Sequence, residues 1–413
     1  MRAHVEAYGC TLNFGEAREI EGLLSARGWE IAKDAKGCDL NVIATCVVIE
    51  KTEKAMLSRL AELKDAPRLV VTGCMATACR EKAESVAPRA SFVPPGDLEG
   101  FGRLIDDGGR KQSVENHDGT LSYGIVPIAT GCLGTCSYCI TRLARGALKS
   151  RPPERIVDSV RGLIRHGPRE LRITAQDTAA YGTDIGSDLP SLVESICSLP
   201  GDFKIRVGMM NPRSAFPIKD RLAVMYEQPK VFKFLHLPVQ SASDRLLGRM
   251  ERGYTCSEFK SIVAGLRERF PELTLSTDLI IGYPGETQED QELNLQLISE
   301  VRPDIVNVTR FSSRPGTKAA QESDPAVGRM AKDRSREITE RRFAVALAVN
   351  QSWVGREVSA FSTERGKNGS TILRTDEYRQ IVVCGDIPLG RHFRVVIDGA
   401  TQTYLRGTRV GDA

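Results

Sequence analysis

Three cysteines stand close together near the middle of the chain, in the segment Gly131-Cys-Leu-Gly-Thr-Cys-Ser-Tyr-Cys139. Three thiolates on one tight loop can hold three irons of a 4Fe-4S cubane and leave the fourth iron without a protein ligand. That iron is open to an exogenous ligand, unlike the irons of fully Cys-ligated clusters. Gly131 and Gly134 allow the backbone to pass close to the cluster. The alternative is a zinc loop, although zinc sites usually pair two C-x2-C halves.

A second group of cysteines lies in the first eighty residues, where each member follows a predicted strand. These are Cys10 after His4–Tyr8, Cys46 after Leu40–Thr45 and Cys74 after Arg68–Thr72. The carboxyl ends of parallel strands meet at one sheet edge, which is a usual place for a ligand. We therefore expect a second cluster there, again with one open iron. The alternative is three buried structural cysteines, and the remaining five are interpreted as structural.

The elements that must position these cysteines alternate between strand and helix. Helical periodicity occurs near Glu16–Arg27, Glu50–Lys64 and Thr77–Val86, so that one helix follows each of the three short strands. This alternation predicts a parallel-sheet α/β domain over residues 1–110. The polar, Gly- and Asp-rich stretch Phe101–Tyr123 is interpreted as a linker.

A longer alternation begins at Gly124 and predicts a partial (βα)6 barrel over residues 124–345. Its apolar runs are Ile125–Ala129, Leu171–Thr174, Ile205–Met209, Phe232–Leu237, Leu273–Ile281 and Ile305–Phe311. Barrel enzymes place their chemistry at the carboxyl ends of strands. The polar residues that follow these runs are therefore candidates for cofactor binding: Gln176, Asp177, Asn211, Gln240 and Ser241.

The last part of the chain has a different pattern. A basic helix near Ser335–Val349 leads to short alternating strands, which predict a small all-β barrel over residues 350–413. Small barrels of this kind bind nucleic acid through basic and aromatic surface residues. The candidates are Arg374, Tyr378, Arg379, Arg391, His392 and Arg394.

Composition gives the broad class of protein. The chain has 413 residues, eleven cysteines and a formal net charge of +4. There is no signal-peptide pattern at the start and no apolar run long enough to span a membrane, so we expect a cytoplasmic protein without membrane contact. A local excess of Lys and Arg between Ile140 and Arg172 suits a polyanion such as RNA. A solvated helix face is the other interpretation of that excess.

The motifs together resemble a known family. The central spacing, with the aromatic Tyr138 before its third cysteine, resembles the radical S-adenosylmethionine (SAM) superfamily. The whole chain is similar to the methylthiotransferase family, whose members join an N-terminal three-cysteine domain, a radical SAM barrel and a C-terminal TRAM barrel. The matching stretches are Tyr8–Asn13, Thr45–Val47, Thr72–Met75, Thr174–Thr178 with Tyr181–Gly182, Leu237–Ser241, Met250–Tyr254, Asp278–Glu286 and Arg314–Thr317.

The opening Tyr-Gly-Cys-Thr-x-Asn is more similar to the archaeal and eukaryotic tRNA branch than to the ribosomal-protein branch. There are departures, since Ala44 replaces the common Asn of Asn-Thr-Cys, Ala17 falls within the family's Asp/Glu-Ser-Glu, and Ala242 replaces the Gly of Gln-Ser-Gly-Ser. The first two bear on the choice of substrate, while none removes a cluster ligand.

The resemblance implies an enzyme that adds a 2-methylthio group to N6-threonylcarbamoyladenosine at position 37, beside the tRNA anticodon. It implies two 4Fe-4S clusters, SAM bound near Tyr138 and the barrel candidates, and separate sulfur and electron donors. No catalytic residue is expected beyond the six cluster ligands, because cofactors carry such chemistry. Two alternatives stay open: a methylthiotransferase that acts on a ribosomal-protein aspartate, and a non-catalytic iron–sulfur or zinc RNA-binding protein. The oligomeric state is not determined by the sequence.

Overall fold

The structure is a computed structural model, and it describes residues 1–105, 123–165, 169–322 and 327–412. The chain forms two compact units. The N-terminal unit comprises Met1–Asp118, Ala129–Lys149 and Ser312–Gln321, and the C-terminal unit comprises Gly119–Ile128, Ser150–Phe311 and Glu322–Ala413. Across the described ranges, no helix combines the length and apolar character that a membrane span requires.

The first 105 residues alternate strands with helices. In order these are β1 (Arg2–Ala7), α1 (Thr11–Ser25), β2 (Glu30–Ile31), β3 (Leu40–Thr45), α2 (Glu50–Leu63), β4 (Leu69–Gly73), α3 (Met75–Ala78), α4 (Arg80–Val86), β5 (Ser91–Phe92) and α5 (Leu98–Ile105). The strands form one parallel sheet in the order β2-β1-β3-β4-β5. Every residue of the central strands β3 and β4 is buried, as expected for a parallel sheet covered on both faces.

Successive side chains on these central strands point to opposite faces, and so they build two separate cores. Val42 and Val70 pack with one group of apolar side chains that includes Phe101. Ile43 and Val71 pack on the other face, with side chains of α2, α3 and α4. The segment Ala129–Lys149 joins this second core through α6 (Ile140–Arg145).

The middle of the chain supplies most of the C-terminal unit. The elements of this middle part of the chain are β6 (Tyr123–Pro127), β7 (Ala129–Thr130), α6 as given above, β8 (Lys149–Ser150), α7 (Pro153–Arg165), β9 (Glu170–Thr174), α8 (Leu189–Cys197), β10 (Lys204–Val207), α9 (Pro212–Ala215), α10 (Lys219–Glu227), β11 (Phe234–His236), α11 (Asp244–Arg249), α12 (Cys256–Arg269), β12 (Thr274–Ile281), α13 (Gln288–Val301) and β13 (Ile305–Arg310), with short 3-10 helices at Thr178–Ala180, Phe216–Ile218 and Lys318–Glu322. Two parallel three-stranded sheets, β10-β9-β6 and β11-β12-β13, are linked by a parallel bridge between Ile205 and Val231. The six strands thereby form the expected partial barrel.

The tail begins with the long helix α14 (Val327–Gln351). It continues with β14 (Glu357–Arg365), β15 (Ser370–Arg374), β16 (Gln380–Cys384), β17 (His392–Ala400) and β18 (Leu405–Asp412). These five strands close into a barrel in the order β14-β15-β16-β18-β17. Its interior contains alternate apolar residues of the strands, such as Leu373, Ile381 and Val395.

The predicted fold class is confirmed, and several boundaries differ from the expectations. The first helix begins at Thr11 rather than Glu16, immediately after Cys10. The expected helix Thr77–Val86 is two helices, because the backbone leaves the helical region at Cys79. The predicted linker was wrong at its start, since Phe101 and Ile105 are buried helical residues. Its later part, residues 106–122, lies outside the described residues.

Candidate functional site

The three N-terminal cysteines follow three adjacent strands of one sheet. Cys10 lies three residues beyond the last pairing of β1, Cys46 follows β3 directly, and Cys74 follows β4 directly. The backbone N–H of Cys74 donates to the carbonyl of Thr45 at 3.0 Å, and that of Tyr8 donates to the carbonyl of Ala44 at 2.9 Å. The sheet ladder therefore continues to the cysteines and fixes the three loops side by side.

Gly9 brings the loop of Cys10 against that of Cys46. Its φ of +98° is in the region that favours glycine, and a Cβ built there would lie 2.5 Å from the Cβ and 2.6 Å from the Sγ of Cys46. Asn13 fastens the same two loops from the first turn of α1. Its Nδ2 donates to the carbonyls of Tyr8 at 2.7 Å and of Thr45 at 2.8 Å. The approach of the first two cysteines is thus built into the backbone.

Burial makes two of these cysteines poor acids when they carry no metal. Burial raises the pKa of Cys74 to about 11, and the nearby Arg145 guanidinium opposes that rise while Cys10 and Cys46 add to it. Burial also raises the pKa of Cys46. Because only thiolates bind iron, filling such a site must release protons and compensate for buried negative charge.

The central cysteine loop is folded tightly on itself. Cys139 donates its backbone N–H to the Cys136 carbonyl at 3.1 Å, and the N–H of Gly134 points at the Cys132 sulfur at 3.2 Å. Gly131 is at φ +76°, where a Cβ would lie 1.9 Å from the carbonyl oxygen of Ala147. Burial, and to a smaller extent the neighbouring Cys136, raise the pKa of Cys139. Helix α6 begins directly after Cys139.

Arg145, the last residue of α6, connects this loop to the N-terminal cysteines. Its side chain is fully buried and donates to Glu16 at 2.6 and 2.9 Å and to the Oδ1 of Asn13 at 2.6 Å. Its Nε is buried without a hydrogen-bond partner. Neither Asn13 nor Arg145 was assigned a role from the sequence. The position of Asn13, three residues after Cys10, is the one local signal in the sequence that indicated a role for this residue near the cysteine.

A second buried arginine holds the segment Ser312–Gln321 in the same unit. Arg314 donates to Glu53 of α2, and Lys82 of α4 donates to the same carboxylate at 2.7 Å. The side chains of Arg314 and Glu53 are 3% and 7% exposed. Arg314 belongs to one of the sequence motifs, but its partner could not be read from the sequence.

The barrel candidates lie at the carboxyl ends of their strands in the C-terminal unit, while Tyr138 lies on the cysteine loop in the N-terminal unit. Asp177 is buried, which raises its pKa, and it accepts from the backbone of Asn211 at 3.0 Å and from Ser214 at 2.7 Å. The structure therefore brings Asp177 and Asn211 together. The Oε1 of Gln176 is buried without a hydrogen-bond partner.

Gln240 and Ser241 lie at the end of the next sheet. Gln240 has a positive φ of 67° and exchanges backbone hydrogen bonds with Asp278 and Ile280 of β12. Ser241 is fully buried and accepts from the backbone of Ser243 at 3.2 Å. Asn211 receives a further contact from Arg252 at 3.4 Å.

Three of the RNA-contact candidates of the C-terminal β-barrel were wrong. Tyr378 is 7% exposed, packs on Phe232 and Phe234, and donates to Glu170 at 2.7 Å. Arg379 is buried and lies 2.7 Å from Asp304. The Arg374 side chain is 14% exposed and stacks on Tyr378. Tyr378 and Arg379 attach the β-barrel to the partial barrel within the C-terminal unit.

The N-terminal site fits an iron–sulfur cluster by its donor chemistry. It offers three thiols from adjacent strand ends and a buried arginine with an unused Nε–H beside them. Over the described ranges, no three His, Cys, Asp or Glu side chains are arranged to share a single metal ion. In a cubane each iron takes its own thiolate, and so the ligands surround the cluster rather than one ion.

Comparison with known proteins covers both the sequence and the fold. A model of the radical SAM superfamily matches residues 126–298, and a model described as uncharacterized protein family UPF0004 matches residues 2–94. The chain is 37% identical to a probable threonylcarbamoyladenosine tRNA methylthiotransferase of Pyrococcus abyssi over 425 residues, which covers 98% of this chain and 99% of that protein. It is 28% identical to the threonylcarbamoyladenosine tRNA methylthiotransferase of Homo sapiens, covering 99% and 74% of the two chains.

Two solved structures have a similar fold. The radical SAM methyltransferase TsrM of Kitasatospora setae, with cobalamin and a 4Fe-4S cluster bound, superposes with a TM-score of 0.58 and 15% identity, over 77% of this chain and 76% of that chain. The cobalamin-dependent radical SAM enzyme OxsB superposes with a TM-score of 0.52 and 10% identity, over 82% and 56% of the two chains. At such identities the likeness concerns the fold alone.

Proposed function

Because this chain belongs to the threonylcarbamoyladenosine tRNA methylthiotransferase family, we propose that it adds a 2-methylthio group to N6-threonylcarbamoyladenosine at position 37 of tRNA. The enzyme is a radical SAM methylthiotransferase, and its cofactors are two 4Fe-4S clusters and SAM. Our proposal concerns the residues that hold these cofactors and the substrate that this chain accepts.

The observation that carries the proposal is the presence of both cysteine groups in one compact unit, tied through Arg145. Cys10, Cys46 and Cys74 would hold one cluster, and Cys132, Cys136 and Cys139 would hold the other. Arg145 ends the helix that starts directly after Cys139, and it bonds to α1, which starts directly after Cys10. Methylthiolation needs a sulfur carrier and a radical source close to the same ring carbon, and this arrangement suits that need.

A cluster held by Cys132, Cys136 and Cys139 would supply one-electron reduction of SAM, and a cluster held by Cys10, Cys46 and Cys74 would supply an open iron for the sulfur to be transferred. The chain's own part is placement. Gly9 and Asn13 set the spacing of the first two cysteines, and the hydrogen-bonded turn between Cys136 and Cys139 shapes the central loop. Burial of Cys46 and Cys74 keeps bulk water from their sulfurs.

Gln176, Asn211, Gln240 and Ser241 are the proposed SAM-binding residues of the C-terminal unit, and Tyr138 is the proposed SAM-binding residue of the central cysteine loop. The unpartnered Oε1 of Gln176 is an acceptor for the SAM amino group or ribose hydroxyls. Asp177 positions Asn211, because its carboxylate accepts a hydrogen bond from the backbone N–H of that residue. A sulfur donor and a one-electron reductant complete the reaction.

The exposed side of the C-terminal β-barrel is the proposed tRNA contact. Arg391 and Arg394 are exposed there, and Arg406 and Arg409 of β18 add exposed positive charge. Arginines on a small β-barrel suit the phosphate backbone. A tRNA substrate favours a cytoplasmic location for the enzyme.

The test is methylthio transfer by the anaerobically reconstituted full-length enzyme. It is incubated with SAM, a reductant, sulfide as the sulfur source and tRNA that carries threonylcarbamoyladenosine, and the nucleosides are analysed by mass spectrometry. We expect the 2-methylthio nucleoside and deoxyadenosine. A parallel reaction with the ribosomal protein tests the aspartate substrate. Deoxyadenosine without modified tRNA, or tRNA binding without deoxyadenosine, would contradict the proposal.

Cysteine variants then separate the two sites. Cys46→Ala should still release deoxyadenosine but transfer no methylthio group, because only the N-terminal cluster is lost. Cys132→Ala should abolish both products. The exposed Cys384 lies outside both groups, so that Cys384→Ala serves as the matched control and should leave both yields unchanged.

A further inference from the structure

The buried guanidinium of Arg145 lies beside the N-terminal cysteine group, and its helix follows directly on the central cysteine loop. It is attached through α6 to Cys139, six residues earlier in the chain. It also lies beside the Cys74 thiol and donates to Glu16 and to Asn13. Its side chain is 0% exposed, so water screens none of these interactions.

Asn13 extends this contact to the other two cysteine loops. It accepts from Arg145 through Oδ1 and donates through Nδ2 to the carbonyls of Tyr8 and Thr45. Those carbonyls lie two residues before Cys10 and one residue before Cys46. The side chains of Asn13 and Glu16 lie inside the protein, since these residues are 0% and 3% exposed. The end of α6 is therefore locked to all three N-terminal cysteine loops.

The hydrogen bonding of this network is incomplete, because one donor of Arg145 has no acceptor. Glu16 compensates Arg145 and accepts from two of its nitrogens, while the Nε–H of Arg145 has no acceptor. A buried N–H without an acceptor is unfavourable. Three cysteine thiolates around a cluster would bring negative charge next to this group. Hydrogen bonds and cations near cluster sulfurs raise the reduction potential, because they stabilise the more negative reduced form.

We propose that Arg145 is a positioning residue that fixes the N-terminal cluster relative to the central cysteine loop and raises the reduction potential of that cluster. This inference rests on the proposed cluster at Cys10, Cys46 and Cys74. Glu16 works in the opposite sense, because its carboxylate lowers the potential by offsetting the charge of Arg145.

The experiment is a redox titration of the anaerobically purified full-length protein, followed by EPR. It is performed in a Cys132→Ala background so that the N-terminal cluster alone contributes to the signal. Arg145→Gln removes the charge and is expected to lower the equilibrium constant of one-electron reduction about tenfold, which corresponds to about 59 mV. Arg145→Lys keeps the charge and should remain closer to the parent protein. Glu16→Gln should shift the potential upward.

Arg314→Gln is the matched control, because Arg314 is an equally buried arginine paired with a glutamate in the same unit. It should lower the unfolding temperature as Arg145→Gln does, yet leave the potential unchanged. If Arg145→Gln retains no iron, the upward shift expected in Glu16→Gln still decides the matter. The inference is overturned if the potential is unmoved in Glu16→Gln, or is unmoved in Arg145→Gln with full iron, or moves equally in Arg314→Gln. Absence of iron from the parent Cys132→Ala protein would instead refute the cluster assignment.

Discussion

Replacing Gly9 with alanine should remove the N-terminal cluster while it spares the central one. Gly9 is at φ +98°, and the added methyl group would lie 2.5 Å from the Cβ and 2.6 Å from the Sγ of Cys46. Two non-bonded carbon atoms prefer a separation of about 3.5–4.0 Å. The two loops must therefore separate by about 1 Å or more.

That displacement is large compared with what a metal site accepts. Ligand distances in metal sites hold to within about 0.2 Å, so that a movement of about 1 Å takes Cys46 out of reach of its iron. Backbone strain adds a cost of about 1–2 kcal/mol, because alanine disfavours positive φ. The strain alone would lower stability, whereas the contact with Cys46 would remove a cluster ligand.

Iron content and EPR of the reconstituted protein separate these two effects. Gly9→Ala should fall from about eight irons per chain to about four, and it should keep the signal that responds to SAM. Gly28→Ala is the control, since Gly28 has a similar φ of +81° and no atom within 4 Å of a built Cβ. Its iron content should stay at that of the wild type despite the strain.

Two results would refute this reasoning. Full iron content in Gly9→Ala would mean that the loops of Cys10 and Cys46 tolerate separation, so that their tight approach is not needed for a cluster. An equal loss of iron in Gly28→Ala would mean that general destabilisation, and not the contact with Cys46, removes the metal.

Three further predictions concern stability, each measured by chemical denaturation. Tyr378→Phe should lower the free energy of unfolding by about 1.5–3 kcal/mol, because it removes a hydrogen bond to the fully buried carboxylate of Glu170. Tyr404→Phe is the control, and an unchanged denaturation midpoint for Tyr378→Phe would contradict the prediction. Arg379→Met should lower the free energy of unfolding by about 3–5 kcal/mol, because it leaves the buried Asp304 carboxylate without its ion-pair partner at 2.7 Å. A decrease under 1 kcal/mol would show that the ion pair is not needed for stability. A hydrogen bond with Glu6 raises the pKa of His4 although burial opposes it, so that the contribution of His4 to stability is complete below about pH 6.5 and is lost as the pH rises through its folded-state pKa. His4→Gln should reduce the fall in stability above pH 6.5, and an unaltered pH profile would contradict this assignment.

The sequence by itself determined the two cysteine groups and the strands that carry them. A C-x3-C-x2-C spacing is a local feature, and it limits three thiolates to one loop whatever surrounds it. The strands before Cys46 and Cys74 were equally plain, because short, largely apolar runs such as Leu40–Thr45 are typical of the buried strands of a parallel sheet. The partial barrel followed from the longer alternation, and the closed β-barrel from period-two patterns.

The tertiary structure decided which polar residues meet. Arg145 bonds to Glu16 and Asn13 across 129 and 132 positions, and Arg314 bonds to Glu53 across 261. A charged side chain gives no sequence sign of a partner so distant, since ion pairing depends on a separation in space and not along the chain. The same reason explains why the sequence did not show that Tyr378 and Arg379 are buried. They read as surface residues in the β-barrel pattern, yet they are buried because the partial barrel covers them.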